Sequence, residues 1–319
     1  GPGAQAPPAP ELIAPSVALA AVPAEPQRLV YLGTPAMAVP PLEALVAAGW
    51  DVAGVVTRAD AKRGRGGLVS PSPVKAAAAD LGLPVVHRVN EALDFDADLG
   101  VVVAYGALVR RPVLERLAMV NLHFSLLPRW RGAAPVERAL LAGDRETGVC
   151  LMQLEEDLDT GPVFARRVVP IGARATAAEL RAELVGTGTA LLLETLRRGL
   201  RDPEPQRGEP TYAHKLDPAE LRLDWEQSAS DLDRVVRVGG AWTTVRGRRL
   251  KVLEAVPDAG EVDLPRDAGT VDIAPDGVVV VTADGSLRLV TVQPEGKGPM
   301  AAAAWVNGAR LEPHERLGA

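Results

Sequence analysis

From Arg28 onward the chain keeps an alternation that few folds accommodate. Apolar runs of strand length at 29–32, 52–56 and 101–104 are separated by stretches with helical spacing. Such alternation favours a parallel sheet with helices on both faces. The helix after the first run is expected to reach residue 48, with Pro40 and Pro41 in its first turn, where the missing amide hydrogen of proline costs nothing. Further along, the pattern predicts a central strand at 119–122, a helix over 135–141 and a strand at 149–154. A pair of strands within 163–171 and a long helix from 176 to about 200 complete this unit. The fold class is α/β, with a Rossmann-like, parallel-rich twisted sheet.

The alternation stops at R-D-P-E-P-Q-R-G-E-P, residues 201–210, whose three prolines mark a linker. Beyond Trp225 the texture changes to short apolar runs broken by turn dipeptides. Asp276-Gly277 and Asp284-Gly285 are strong hairpin signals, and many short strands with regular turns predict a small closed β-barrel. We therefore divide the 319 residues into an irregular extension (1–27), a catalytic domain (28–207), a linker (208–226) and a barrel domain (227–319). The extension holds 7 Pro and 8 Ala and no Lys or Arg, so it lacks the basic start of a secretory signal. Gly1-Pro2-Gly3 reads as the scar of a removed tag, and the remainder is expected to dock loosely on the surface.

A formal net charge of −6 argues against a uniformly basic nucleic-acid coat and leaves room for a local basic patch. Such a patch stands between Arg58 and Ser72, R-A-D-A-K-R-G-R-G-G-L-V-S-P-S, which has no usable apolar period and reads as a mobile basic loop. The single cysteine, Cys150, lies in an apolar run and is expected to be inert packing. No run reaches the ~18 to 20 apolar residues that span a bilayer. We expect a soluble cytoplasmic protein with no membrane partner, working as a monomer.

The chemistry concentrates in Met119 to Pro128, M-V-N-L-H-F-S-L-L-P. In a strand, residues two apart point to one face, so Asn121 and His123 project together at the strand's carboxyl end. One is a neutral amide donor, the other a proton carrier near neutral pH. The following S-L-L-P closes a turn with an apolar rim, against which a planar ligand can lie flat. A carboxylate to orient the imidazole is available in E-E-D-L-D-T-G-P, where Asp159 stands at the edge of turn residues. Asn121 would donate to a developing oxyanion, His123 would support that charge or shuttle a proton, and Asp159 would position His123. This set suits attack by a neutral amine on a formyl or acyl carbonyl, and no metal is needed. Competing motifs are missing: Leu32-Gly33-Thr34-Pro35-Ala36 lacks G-x-G-x-x-G, and there is no Walker A segment or zinc-spaced Cys/His cluster.

These motifs, with R-W-R-G-A-A-P-V-E-R-A-L-L-A-G-D, E-T-G-V-C-L-M-Q-L, V-V-V-A-Y-G, S-P-S-P-V-K, T-Y-A-H-K-L and Q-P-x-G-K, together resemble the methionyl-tRNA formyltransferases over nearly everything after residue 27. The resemblance implies transfer of a formyl group from 10-formyltetrahydrofolate to the α-amine of methionine on initiator tRNA. It implies Asn121, His123 and Asp159 as the catalytic trio. It also implies Ser125, Leu126, Leu127 and Pro128 as the folate-binding turn, with the backbone of Val103, Ala104, Tyr105 and Gly106 bordering the pterin. Arg65 matches a loop arginine that approaches the acceptor end of tRNA, with Lys62 and Arg63 assisting. The carboxy-terminal domain is implied to be an OB-like barrel that contacts tRNA.

From Gln227 onward, however, there are 11 Lys+Arg against 13 Asp+Glu, so only Arg246, Arg248, Arg249 and Lys251 form a locally basic set there. Two departures from the family pattern stand out. Phe124 replaces a small residue, and its bulk would narrow the folate site. Met37 stands where relatives often carry Phe near the substrate methionine. Trp130 and Trp242 are expected to pack rather than to stack on a ligand. Two rival readings remain: an amino-sugar or small-amine N-formyltransferase, which shares the trio without needing the basic loop or barrel, and a non-catalytic tRNA-binding relative.

Overall fold

The computed structural model describes residues 18–63, 68–258, 267–274 and 277–318. After β1 (Arg28–Gly33), Pro40 and Pro41 sit in the first turn of α1 (Val39–Ala47), and the chain returns as β2 (Asp51–Val56). A two-stranded ribbon follows, β3 (Ala61–Arg63) paired antiparallel with β4 (Leu68–Ser70). The loop expected from Arg58 to Ser72 is corrected at its flanks, which are short paired strands, with backbone pairing where side-chain periodicity is uninformative. Residues 64–67 lie outside the described residues, Arg65 among them.

Ser72 then caps α2 (Pro73–Asp80), its hydroxyl accepting from the Lys75 amide. Next come β5 (Val85–Val86), β6 (Leu99–Val103), α3 (Arg111–Leu114) and β7 (Met119–His123). A bridge-length β8 (Arg131–Gly132) precedes α4 (Pro135–Ala142), and β9 (Glu146–Gln153) leads to β10 (Val163–Pro170). The two strands expected within 163–171 are one: nothing in V-F-A-R-R-V-V-P supplies a turn, and the whole run pairs antiparallel with β9. The 22-residue α5 (Ala177–Arg198) starts at a capping box between Thr176 and Glu179.

The sheet has seven strands in the order β10-β9-β7-β6-β1-β2-β5, parallel from β7 through β5 and antiparallel at β9 and β10. Its central strands are apolar on both faces. Leu29, Tyr31, Val101, Val103, Val120 and Leu122 share one core with α1 and α5, while Val30, Leu32, Val102 and Met119 share another with α3. Cys150, in β9, is fully buried, and burial pushes its thiol above the usual range. Residues 18–27 dock on the domain: Ala20 N–H donates to Leu114 O and Leu200 N–H to Ala24 O.

The second domain begins beyond β11 (Tyr212–Ala213), which pairs parallel with β8. The amphipathic α6 (Ala229–Val238) packs on a curled antiparallel sheet. Its strands are β12 (Trp242–Val245), β13 (Arg248–Asp258), β14 (Val271–Ala274), β15 (Gly277–Val281) and β16 (Ser286–Pro294). The order is β12-β13-β16-β15-β14, with β17 (Met300–Ala301) beside β16 and α7 (Ala302–Ala309) against β15 and β16. No ladder joins β12 to β14 among the described residues, so the expected closed barrel is a half-barrel, consistent with an OB-like domain. Asp284-Gly285 lies in the loop joining β15 to β16 as expected, whereas Asp276 falls outside the described residues.

The two domains meet through Asp233, a buried carboxylate held by Arg174 at 2.7 Å and Arg237 at 2.8 Å. Those arginines also donate to the carbonyls of Ala255 and Ala175 respectively. Because the Cys150 thiol is buried and held protonated, native protein at pH 8 should react with a thiol reagent far more slowly than the urea-unfolded chain. Comparable rates would place Cys150 at an accessible position and contradict the β9 packing.

Candidate active site

β1 lies at the centre of the five parallel strands, with β2 and β5 on one side and β6 and β7 on the other. The chain therefore reverses direction between β1 and β6, and open parallel sheets bind ligands in the crevice at the carboxyl ends of such a pair. The mouth of this crevice is built from Thr34, just after β1, and Val103 to Gly106. Thr34 Oγ1 donates to the Tyr105 carbonyl at 2.8 Å. Ala104 and Gly106 take φ values of +46° and +77°, turning the backbone sharply out of β6. Arg58 reaches the rim, 3.5 Å from the Gly106 carbonyl. Tyr105 is packed below, and burial pushes its phenol above the usual range.

β7 delivers Asn121 and His123 to the same end. Met119, Asn121 and His123 alternate with Val120 and Leu122, so the face that is apolar at the strand's start becomes polar at its finish. Phe124 follows the other parity and is buried with Leu122 in the core beneath α5. Its expected narrowing of the folate site is corrected: the strand's period carries it to the opposite face from His123. Met37 packs partly buried against that same core.

The third group arrives from the loop between β9 and β10. β9 runs antiparallel to β7, with Gln153 opposite Val120, so the loop must fold back to reach His123. It does so through Asp159, which sits at φ +51° and is only 8 % exposed. Asp159 Oδ2 accepts from the Gly132 amide at 2.8 Å and lies 3.6 Å from His123 Nδ1, while Oδ1 accepts from Asn121 Nδ2 at 3.4 Å. His123 Nε2 is 2.9 Å from the Trp130 carbonyl, an acceptor that requires the proton on Nε2 and leaves the Nδ1 lone pair toward Asp159 in the neutral ring. At 3.6 Å the two groups do not hydrogen-bond directly.

The S-L-L-P-R-W-R-G turn is fastened from inside. Ser125 Oγ donates to Arg129 O at 2.5 Å, and Leu127 packs with Cys150, Met152 and Val163. Leu126 and Pro128 are half-exposed on its outer side. Trp130, at φ +61°, donates from Nε1 to Asp144 at 2.8 Å, with the Arg129 guanidinium 4.5 Å from its ring centroid. Arg129 forms a two-pronged pair with the same carboxylate, which pushes its own pKa higher. Both tryptophans are half-buried and engaged within the chain, since Trp242 Nε1 donates to Pro218 O.

The proline-rich segment read as a linker supplies residues that sequence reasoning missed. Gln206 Nε2 donates to the carbonyls of Asp159 and Gly161 at 2.8 and 2.9 Å, and its Oε1 accepts from both Arg131 Nε and Nη2. Thr211 Oγ1 accepts from the Trp130 amide, and its carbonyl from the Arg131 amide. The only hint in the sequence was a polar Gln among prolines.

The expected basic residues separate. Lys62 and Arg63 lie on β3. Arg246 forms, with Gly247, the turn between β12 and β13 at φ values of +48° and +70°. It is tied to Glu315 and to the carbonyls of Ala309 and Arg310. Arg248 stands 3.8 Å from Glu295. Arg249 covers the Trp242 ring at 4.3 Å, with Lys251 directly opposite Trp242 in the ladder.

Residues 27–196 match the formyl transferase family and residues 215–310 match the formyl transferase C-terminal domain. The methionyl-tRNA formyltransferase of Roseobacter denitrificans is 45 % identical over 89 % of this chain and 97 % of its own length. That of Clavibacter sepedonicus is 46 % identical over 88 % and 97 %. The chain belongs to the methionyl-tRNA formyltransferase family. A more distant likeness is the N-formyltransferase of Helicobacter canadensis, solved with folinic acid and dTDP-3-aminofucose. It superposes with a TM-score of 0.64 at 15 % identity over 84 % of this chain and 99 % of that one, which shows the shared fold. Within the family architecture, Gly161 is needed beside Asp159: a Cβ there would stand 1.9 Å from the Gln153 carbonyl. Gly161→Ala should displace the Asp159 loop and destabilise the fold by ~2 kcal/mol or more, read as a lower urea midpoint; an unchanged midpoint would show that the loop relaxes freely.

Proposed function

We propose that the chain transfers the formyl group of 10-formyltetrahydrofolate to the α-amine of methionyl initiator tRNA, giving formyl-Met-tRNA for translation initiation. The observation that carries this reading is the meeting of Asn121, His123 and Asp159 beside the β1/β6 crevice. The methionyl-tRNA formyltransferases matched along 97 % of their length make the tRNA acceptor the natural assignment. Sugar N-formyltransferases share the fold at much lower identity, as the 15 % likeness above illustrates. We place the enzyme in the cytoplasm as a monomer.

In this proposal Val103 to Gly106 and the turn Ser125 to Pro128 form the two walls of the donor site, with Leu126 and Pro128 presenting apolar surface. Ser125 and Leu127 act from within, holding the turn closed. Asn121 Nδ2 carries two hydrogens, one directed at Asp159 and one able to meet negative charge growing on the formyl oxygen. His123 Nδ1 takes the proton released as the acceptor amine attacks the formyl carbon, the adjacent Asp159 carboxylate stabilises the resulting imidazolium, and that proton passes to N10 as the bond from the formyl carbon to N10 breaks and tetrahydrofolate leaves. Arg65, Lys62 and Arg63 meet the acceptor end of tRNA, and Arg246, Arg248, Arg249 and Lys251 contact its backbone. Of these four, Arg249 and Lys251 share the surface around Trp242.

Formyl transfer from 10-formyltetrahydrofolate to Met-tRNA, with free amino sugars as competing acceptors, tests the whole reading; turnover on a sugar and none on charged tRNA would reject it. His123→Ala should lower kcat by about 100- to 10000-fold while tRNA affinity is retained. Unchanged kcat would remove His123 from the mechanism. Arg65→Ala should raise the KM for Met-tRNA and reduce the slope of log affinity against log salt by about one, leaving donor binding alone. An equal loss of donor binding would assign Arg65 to the fold instead.

A further inference from the structure

We propose that Gln206 is a positioning residue for formyl transfer, clamping the Asp159 loop through both carbonyls that flank Thr160 and being itself aimed by Arg131. This rests on the role given to Asp159 above. The left-handed backbone of Asp159 is one that L-residues adopt sparingly, so contacts from the surrounding structure help to hold it. Gln206 does so at two points, spending both hydrogens of its amide on Asp159 O and Gly161 O.

The chemistry fixes which way that amide faces. Reversed, its oxygen would oppose two carbonyls and its NH2 would oppose a guanidinium, whereas the observed orientation satisfies every group. Arg131 closes the circuit, because the next residue, Gly132, donates its amide to Asp159 Oδ2 at 2.8 Å. One residue is therefore gripped at its carbonyl by Gln206 and at its carboxylate by Gly132, with Arg131 joining the two grips.

The backbone carrying Gln206 is anchored on either side. Glu204 exchanges both backbone hydrogen bonds with Val163, at 2.8 and 2.9 Å, and Thr211 bonds to Pro128 and Arg131. Gln206 bonds to backbone carbonyls and acts through Asp159. A displaced carboxylate no longer lies beside Asn121 and His123, so the cost falls on the chemical step rather than on binding.

The test uses the full chain. Gln206→Glu keeps the size and the Arg131 contact but turns the donor into an acceptor facing two carbonyls. Arg131→Lys, the second variant, keeps the charge and loses the two-pronged grip. For Gln206→Glu, single-turnover formylation should slow on the order of 100-fold, with the KM for donor and acceptor little changed. The deciding measurement is the cycle with Asp159→Asn. If Gln206 works through Asp159, adding Gln206→Glu to Asp159→Asn costs less than about threefold more.

Full multiplication of the two losses, or an unchanged rate in Gln206→Glu, overturns the proposal. A second readout needs no acceptor: hydrogen exchange at the Gly132 amide should accelerate by about tenfold in both variants at unchanged global Tm. Gly132 protection equal to wild type, or a rate loss matched by general loosening in Tm, overturns it as well. If wild-type protein formylates an amino sugar and not Met-tRNA, the acceptor assignment fails, and the same cycle run on the sugar still decides the role of Gln206.

Discussion

A carboxylate that is nearly sealed from water must be compensated, because an unpaired buried charge costs several kcal/mol. Asp159 is such a group, and the elements around it are arranged so that its oxygens find the Gly132 amide, the Asn121 amide and the imidazole of His123. These partners come from two places in the chain: the end of β7 and the turn beyond it. The carboxylate thereby ties the end of β7 to the loops on both sides. The same compensation holds an amide, an imidazole and a carboxylate together in one cluster, the arrangement on which the proposed chemistry rests.

The sheet determines where this cluster sits. With β1 central and the chain turning back to β6, the crevice opens at the carboxyl ends of β1 and β6, and β7 is the next strand over. Asn121 and His123 therefore stand beside the opening instead of inside it. The strand's two-residue period sorts the rest: Leu122 and Phe124 go to the core under α5, while the polar pair goes to the opposite face.

Much of this was legible in the sequence. The apolar runs located β1, β2, β6 and β7 to within a residue or two, because strands buried on both faces leave a continuous hydrophobic signal. The proline pair marked the start of α1, and N-x-H was placed on one face by period alone. What escaped was structure made by backbone bonding. The ribbon of β3 and β4 has no apolar face to announce it. The Arg246-Gly247 turn lacks the usual Asn or Asp and is held by Glu315, which lies 69 residues away. Phe124 was weighed by its size, although parity assigns it to the other side of the sheet. Gln206 was hidden most completely: its amide donates to main-chain carbonyls, which leave no trace in the residue pattern, and its one side-chain partner, Arg131, lies 75 residues away.

The segment joining the two domains carries structural consequences at both of its ends. Near its start, Gln206 grips the Asp159 loop. At Tyr212 and Ala213 it adds a strand to Arg131 and Gly132, and further on Glu220 pairs with Arg138 of α4, which holds its carboxyl below the usual range. Pro218 then accepts from Trp242 at the first strand of the half-barrel. Hydrogen bonds therefore link the Asp159 loop through this segment to β12. Arg174, Asp233 and Arg237 fasten the domains at a second place, and two attachments constrain the rotation that one would permit. A partner as long as a tRNA that touches both domains would meet them already oriented, so the entropy of aligning them is lost on folding and not again on binding.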